Sequence, residues 1–497
     1  MHDPMHDPMH DVVPFGWVIL LVAAVGLLAV LSNRLTERVP VPAPLLFLAG
    51  AAVAGRLAPG LHAVPHQTVE RVVTVALAVI LFEGGLHIGW RRLRSAAAPV
   101  ALVGVLGTFL TAAAVAVLAH LAVGLSWFVA LLVGTAVAPT DPAVVFSVLG
   151  RREVSGRSGT VLEGESGAND PVGIALMAGL LSAGGLGASS LAAVTGGFAL
   201  QLVVGGALGL AGGWAMRWFM RHVPLPSEGL YPLATLAAAL VVFGLATLVH
   251  GSGFLAVFVA GIYLGDVRAP YKREIERFHS ALASLGEIVA FLALGLTVDL
   301  AVLTYRDVWL PGLLLGAALA LVIRPALIGA CLLPFGLTGH ERAFVAWAGL
   351  KGAVPILLGG YLLDAAVPAP QRLYGIVVVV VTFSVLVQGS TVGLVARLLG
   401  IPMRTVEPEP WALGVRLRNE PQGVHRLTIA ASSPADGSTL ADLPGLTEDV
   451  WVSFVIRGGE LLPVRGDTPL QAGDEVLALA PPDQHLLLQA AFCQPRP

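Results

Sequence analysis

Residues 164–176 read GESGANDPVGIAL and set Glu165, Ser166, Asn169 and Asp170 into an otherwise apolar run. On a helix, Glu165 and Asn169 stand four apart on one face, and Ser166 and Asp170 share the neighbouring face. Upstream, GTAVAPTDPAVV places Thr140 and Asp141 between Pro139 and Pro142. Two prolines three apart remove amide donors and clash with the preceding turn, so a helix is expected to unwind there. Carboxylate, hydroxyl, carboxamide and freed main-chain carbonyl oxygens gathered in one sector suit a hard cation. Paired His or Cys, which a transition metal would favour, are missing from both motifs. A carboxylate taken out of water also holds a proton more tightly. Asp170 can therefore carry a proton or a cation but not both, and a barrier crossed only in one of those states makes the two exchange. With Asn169 uncharged beside it, a single titrating carboxylate implies one proton per monovalent cation.

The elements that position these groups follow from composition. Of 497 residues, 56% are hydrophobic and 12% charged, against about 25% charged in soluble domains. Mean hydropathy is +0.82, as for an all-α polytopic membrane protein. A net charge of -3 argues against nucleic acid as a partner. Cys331 and Cys493 lie in unlike regions and suggest neither a disulfide framework nor a metal site. The opening MHDPMHDPMHD lacks the basic segment of a signal peptide and reads as a short extracytoplasmic tail over residues 1–12.

Spans of about 20 apolar residues fall at about 13–32, 42–58, 70–88, 96–123, 126–149, 160–183, 189–216, 230–250, 253–265, 281–300, 308–334, 341–364 and 371–399. Thirteen crossings within residues 13–400 are thus expected. Loops after even-numbered spans hold only Arg56, Arg71, Arg306 and Arg372, whereas clusters such as Arg91, Arg92 and Arg94, or Arg268, Lys272, Arg273 and Arg277, follow odd-numbered ones. Basic residues gather on the cytoplasmic side, which sets the N-terminus outside and the C-terminus in the cytoplasm.

The twelfth span contains AGLKGAVPILLGG, where Gly349, Lys351, Gly352 and Pro355 invite a second break. It stands seven spans after the first. An odd offset means an inverted repeat, and interrupted helices at matching places in inverted halves point to a transporter's ion site. Lys351 and Arg324 need counter-charges within the membrane. Glu165 is the expected partner for one of them, a Glu165–Lys351 bridge being the pairing that would lock the two breaks together. Glu83 and Glu287 also fall within spans without an assigned role.

PTDPAVV, EGESGANDPVGIAL, GSGFLAVFVAGIYLGD, FLALGL and GLKGAVPILL together resemble the NhaP-type branch of the monovalent cation/proton antiporters. The resemblance spans all thirteen segments. It implies a core domain with crossed broken helices, a dimerisation domain, a homodimer and an elevator-like movement. It implies Asp170 as the carrier of cation and proton, Asn169 as the mark of an electroneutral branch, and Thr140, Asp141 and Glu165 around the ion. Many such relatives carry Arg where this chain has Lys351, a point charge without the planar fork.

Beyond a linker at 401–415, residues 416–497 read as a small cytoplasmic α/β domain. HRLTIAAS, VWVSFVIR, ELLPVRGD and DEVLALA are strand candidates, and PPDQHLLLQAAF is a closing helix. LLPVRGDTPLQAGDEVLALAPPDQ is similar to the TrkA-C regulatory module of potassium channels and transporters, which tilts the expected cargo towards K+ over Na+. Regulation by a nucleotide or by dimer geometry fits such a module, although no Gly-rich phosphate loop is present. The expectation is a secondary antiporter, with no cofactor, in a bacterial inner membrane. A ligand-gated cation channel is the rival from another class. An enzyme lacks support, since no nucleophile–base pair is evident.

Overall fold

The computed structural model describes residues 42–57, 65–149, 152–154, 156–267, 271–405, 423–443, 450–458, 460–481 and 484–494, with a few single positions before them. The first expected span, the His-Asp-Pro repeat and most of the linker lie outside the described residues. The chain divides into two compact units, Met1–Pro408 and Glu409–Pro497.

In the first unit, helices stand where the second to thirteenth spans are expected. The second is α1 (Ala43–Leu57). The third and fourth are continuous from α2 (His66–Ala101) through a π-helical turn, Leu102–Gly107, into α3 (Thr108–Leu118). Within this stretch the backbone leaves helical geometry at Gly89 (φ 64°) and at Ala96, the former a conformation open to a residue without a Cβ. The fifth span is two half-helices, α4 (Trp127–Val137) and α5 (Pro142–Leu149), and the sixth is α6 (Arg157–Ala183). Next come α7 (Ala188–His222), α8 (Leu230–Leu248), α9 (Gly253–Gly265) and α10 (Lys272–Leu296). The eleventh span is α11 (Arg306–Ala318) and α12 (Arg324–Cys331), joined by a π turn at Leu319–Ile323. The twelfth is again split, into α13 (Gly339–Trp347) and α14 (Ala353–Gly360). The last is α15 (Pro370–Phe383) and α16 (Ser390–Leu398), with a π turn at Ser384–Gly389. By length and composition, six helical stretches among the described residues can cross a membrane alone, and the others are shorter or interrupted.

Local chemistry sets several of these ends. Thr338 and Glu341 form a capping box at the start of α13, satisfying amides that have no helical partner. Ser252 caps α9 through Leu255 N. The apolar α9 is buried against α2, and their backbones touch because a Cβ at Gly85 would strike Phe258 O and one at Gly261 would strike Phe82 O. Such small-residue seams bring membrane helices together where burial of apolar surface supplies no drive. Outside the helices, β1 (Arg152–Val154), between α5 and α6, pairs antiparallel with β2 (Met403–Thr405), which follows α16.

The second unit is a four-stranded antiparallel sheet in the order β3-β6-β4-β5, made of β3 (Val424–Thr428), β4 (Trp451–Arg457), β5 (Glu460–Leu462) and β6 (Glu475–Leu479). The helix α17 (His485–Phe492) buries Leu488 and Phe492 against Leu427, Val455 and Val476. The third expected strand stops at Leu462, short of the VRGD segment. Asp474 at the start of β6 is buried and takes Arg457 Nε and Nη2 at 2.8 Å each, with Gln471 N at 2.9 Å. Burial opposes its charge, yet the hydrogen bonds from Arg457 and Gln471 and the guanidinium charge outweigh that and hold its carboxyl below the usual carboxylate range.

A group whose pKa is lowered on folding contributes stability above its unfolded value, roughly 4, and loses that contribution as pH falls through the folded value. Hydrogen exchange on the full-length protein should therefore show weaker protection of the Val476 and Ala478 amides in Asp474→Asn at neutral pH. The gap from the parent protein should close as the pH drops below about 4.

Candidate ion site

The two interruptions face each other. Between α4 and α5 the helix is lost around Pro139 and Asp141, and between α13 and α14 around Gly349 and Gly352. Asp141 N donates to Leu350 O at 2.8 Å, joining one break to the other. Each break ends a half-helix whose last carbonyls have no amide to accept from, and buried cations answer both. Lys351 Nζ donates to Ala138 O at 2.8 Å and Pro139 O at 3.0 Å, beyond the end of α4. Arg324 donates through Nε to Ala346 O at 3.0 Å and through Nη2 to Val345 O at 3.4 Å, at the end of α13. Positive charge at a helix C-terminus also complements its dipole.

Glu165 pairs with Arg324, Nη2 lying 2.8 Å from Oε1 and 3.0 Å from Oε2, with both side chains 2% exposed. The bridge from Glu165 to Lys351 expected from the sequence is replaced by this pair. Arg324 follows the Leu319–Ile323 π turn and lies flat against Gly349, where a Cβ would run into the guanidinium. A planar fork can serve a carboxylate and helix-end carbonyls together, which a single ammonium cannot. Lys351, 1% exposed, is left to the carbonyls of the opposite break.

Asn169 clamps Thr140 from α6. Its Nδ2 donates to Thr140 Oγ1 at 2.7 Å and its Oδ1 accepts from Thr140 N at 3.3 Å. Ser166 Oγ donates to Thr140 O. With both ends of its amide used, Asn169 positions the unwound turn. Asp141 lies against Gly352, where a Cβ would collide with its carboxyl group. Asp170 is 7% exposed and its Oδ1 has no hydrogen-bond partner. Its electrostatic neighbours are Asp141 and Lys351. Thr140, Asp141, Glu165, Ser166, Asn169 and Asp170 thus lie around one crossing point, with Glu165 already committed to Arg324.

Two residues there had no place in the sequence reading. Ser384 Oγ accepts from Lys351 N at 3.1 Å and donates to Gln388 Oε1 at 2.7 Å, while Gln388 Nε2 donates to Trp347 O at 2.9 Å. Both belong to the π turn between α15 and α16, and both are buried. Their signal in the sequence is a polar pair four apart in a valine-rich span.

Crossed, interrupted helices around a buried carboxylate are the architecture of an ion-coupled membrane transporter. Comparison with known proteins agrees. A family model described as "Sodium/hydrogen exchanger, transmembrane" matches residues 20–398, and a TrkA-C domain model matches residues 424–492. The chain belongs to the sodium/hydrogen exchanger family and carries a TrkA-C domain. It is 32% identical to the K(+)/H(+) antiporter NhaP2 of Shewanella oneidensis, over 91% of this chain and 79% of that protein. The K(+)/H(+) antiporter NhaP of Alkalimonas amylolytica is likewise 32% identical, over 93% and 80%. Among solved structures, the sodium proton antiporter MjNhaP1 of Methanocaldococcus jannaschii shares the fold, with a TM-score of 0.65 at 23% identity, covering 77% of this chain and 99% of that one.

Glu165→Gln leaves a buried guanidinium without its counter-charge, a loss of about 3–5 kcal/mol. A fall in the thermal midpoint of the detergent-purified protein is the expected result. Lys351→Met uncaps Ala138 and Pro139 and should also lower the midpoint, and Glu165→Gln combined with it should cost less than the sum, since removing Lys351 relieves its electrostatic interaction with the unpaired Arg324.

Proposed function

We propose that this chain exchanges a cytoplasmic monovalent cation, K+ in preference to Na+, for an external proton, one for one and without net charge movement. The observation that carries the reading is Asp170, a deeply buried carboxyl group with a free oxygen beside the crossing of two broken helices. The nearby Lys351 and Arg324 are engaged with carbonyls and Glu165, and Asn169 is engaged with Thr140. Asp170 is therefore the group whose occupancy decides whether the barrier is crossed, with the Thr140 and Asp141 region and Ser166 completing the oxygen shell. Neutral Asn169 at the adjacent position supports one titrating site and so electroneutral exchange. The preference for K+ rests on the relatives over nine-tenths of the chain that are named K(+)/H(+) antiporters and on the TrkA-C domain. A sodium reading has some support from the Na(+)/H(+) antiporter ApNhaP of Aphanothece halophytica, which is 27% identical over 67% of this chain. The protein acts as a homodimer in a bacterial inner membrane, with its C-terminal domain regulating exchange from the cytoplasm.

The test uses purified protein in sealed vesicles with an imposed pH gradient and a pH-sensitive dye, with K+ and Na+ added separately and the voltage clamped to zero by an ionophore or left free. Dequenching by K+ at lower concentration than Na+, unchanged by the clamp and abolished in Asp170→Asn, is expected. Cation flux without proton movement would make the protein a channel, and coupled exchange surviving in Asp170→Asn would remove the carrier from that residue.

A further inference from the structure

Among the acidic side chains within the spans that have no part in the site so far, Glu287 has a sealed carboxyl oxygen without a donor. Glu287 stands in α10, which packs against α14, the half-helix that follows the second interruption. Its Oε1 is sealed from solvent and has no hydrogen-bond partner, while the residue as a whole keeps some open surface. A packing role leaves this oxygen unexplained, because a buried acceptor without a donor is costly. The buried cations Arg324 and Lys351 are engaged with Glu165 and with helix-end carbonyls.

Charge links Glu287 to the crossing. Asp141 interacts electrostatically with both Asp170 and Glu287. Asp170 is buried beyond nine-tenths and also has an unpartnered oxygen, Oδ1. Carboxyl groups from α6, from the first interruption and from α10 are thus coupled through Asp141, and Asp170 and Glu287 each keep an unanswered oxygen. Like charges so arranged repel one another, and a monovalent cation among them relieves the repulsion. A cation that enters a buried site must shed its water, and oxygen ligands met one after another divide that loss into small steps.

We propose that Glu287 is the waiting group for the transported cation, a carboxylate outside the Asp170 site that receives the partly dehydrated ion and passes it by way of Asp141. The proposal rests on the reading of Asp170 as the carrier. Glu287 acts on the loading of the cation; the exchange step itself belongs to Asp170.

Vesicle assays at fixed pH with a K+ concentration series on Glu287→Gln, Glu287→Asp and Asp170→Asn test it. For Glu287→Gln the half-saturating K+ concentration should rise roughly tenfold, as expected for the loss of one charge at moderate range in the protein, with a smaller fall in maximal rate. Glu287→Asp should recover most of the affinity. Parent-like half-saturation in Glu287→Gln, or a Glu287→Asp as weak as Glu287→Gln, overturns the proposal. If Glu287→Gln assembles poorly, Glu287→Cys in a background without Cys331 and Cys493 gives a second measurement. Saturating K+ should slow its reaction with a small cationic thiol reagent, and equal reaction with and without K+ overturns the proposal. Asp170→Asn separates the two levels. Loss of exchange there, with a parent-like Glu287→Gln, sinks Glu287 alone; retained exchange sinks the carrier assignment beneath it.

Discussion

Everything at the centre of this protein depends on carbonyl oxygens with nothing to accept from. A helix interrupted deep in an apolar span exposes the ends of two half-helices where no water can answer them. Here two such interruptions are laid across each other, and each receives a cation from another part of the chain. Lys351 reaches from the second break to the carbonyls of the first, and Arg324 reaches from the eleventh span to those of the second. Both charges are themselves expensive to bury, so each stabilises the break only because the break offers it acceptors. Glu165 then balances Arg324. The outcome is a pair of unwound turns held in place, with the Asp170 carboxyl group beside them keeping one oxygen, Oδ1, without an internal partner.

Much of this was legible in the chain. Helix breaks follow from local sterics, and both fall where PTDP and GLKGAVP put them, because proline removes a donor wherever it stands. The sharing of faces along GESGANDP is equally local, and Asn169 and Ser166 do meet Thr140 from the same side. The strands of the second unit could be read from alternation, apart from the end of the third, where Pro463 and Gly466 halt the pattern.

What was not legible depends on helix registers that no local pattern sets. Arg324, which takes Glu165 in place of Lys351, directly follows a π turn at Leu319–Ile323, and such a shift of register has no residue signature. The same holds for Ser384 and Gln388. Their hydroxyl and amide are ordinary polar atoms in a span until a second π turn brings them to Trp347 O and Lys351 N. Glu287 was visible as an anomaly, yet its relation to Asp141 is a matter of tertiary proximity. The crossing count has a different obstacle, since interrupted helices and the 58-residue stretch His66–Val123, kinked at Gly89, do not resemble separate rods of standard length.

The pairing of β1 with β2 has a mechanical meaning. Register runs from Arg152 opposite Thr405 to Val154 opposite Met403, so the strand after the final helix is stitched by main-chain hydrogen bonds to the connection between α5 and α6. Those two helices flank the candidate ion site, one leaving the first interruption and the other carrying Asp170. The root of the C-terminal segment is thereby fastened to the working parts of the membrane unit. The last described residues before the second unit are thus tied by main chain, not by side chains alone, to the connection that joins α5 to α6.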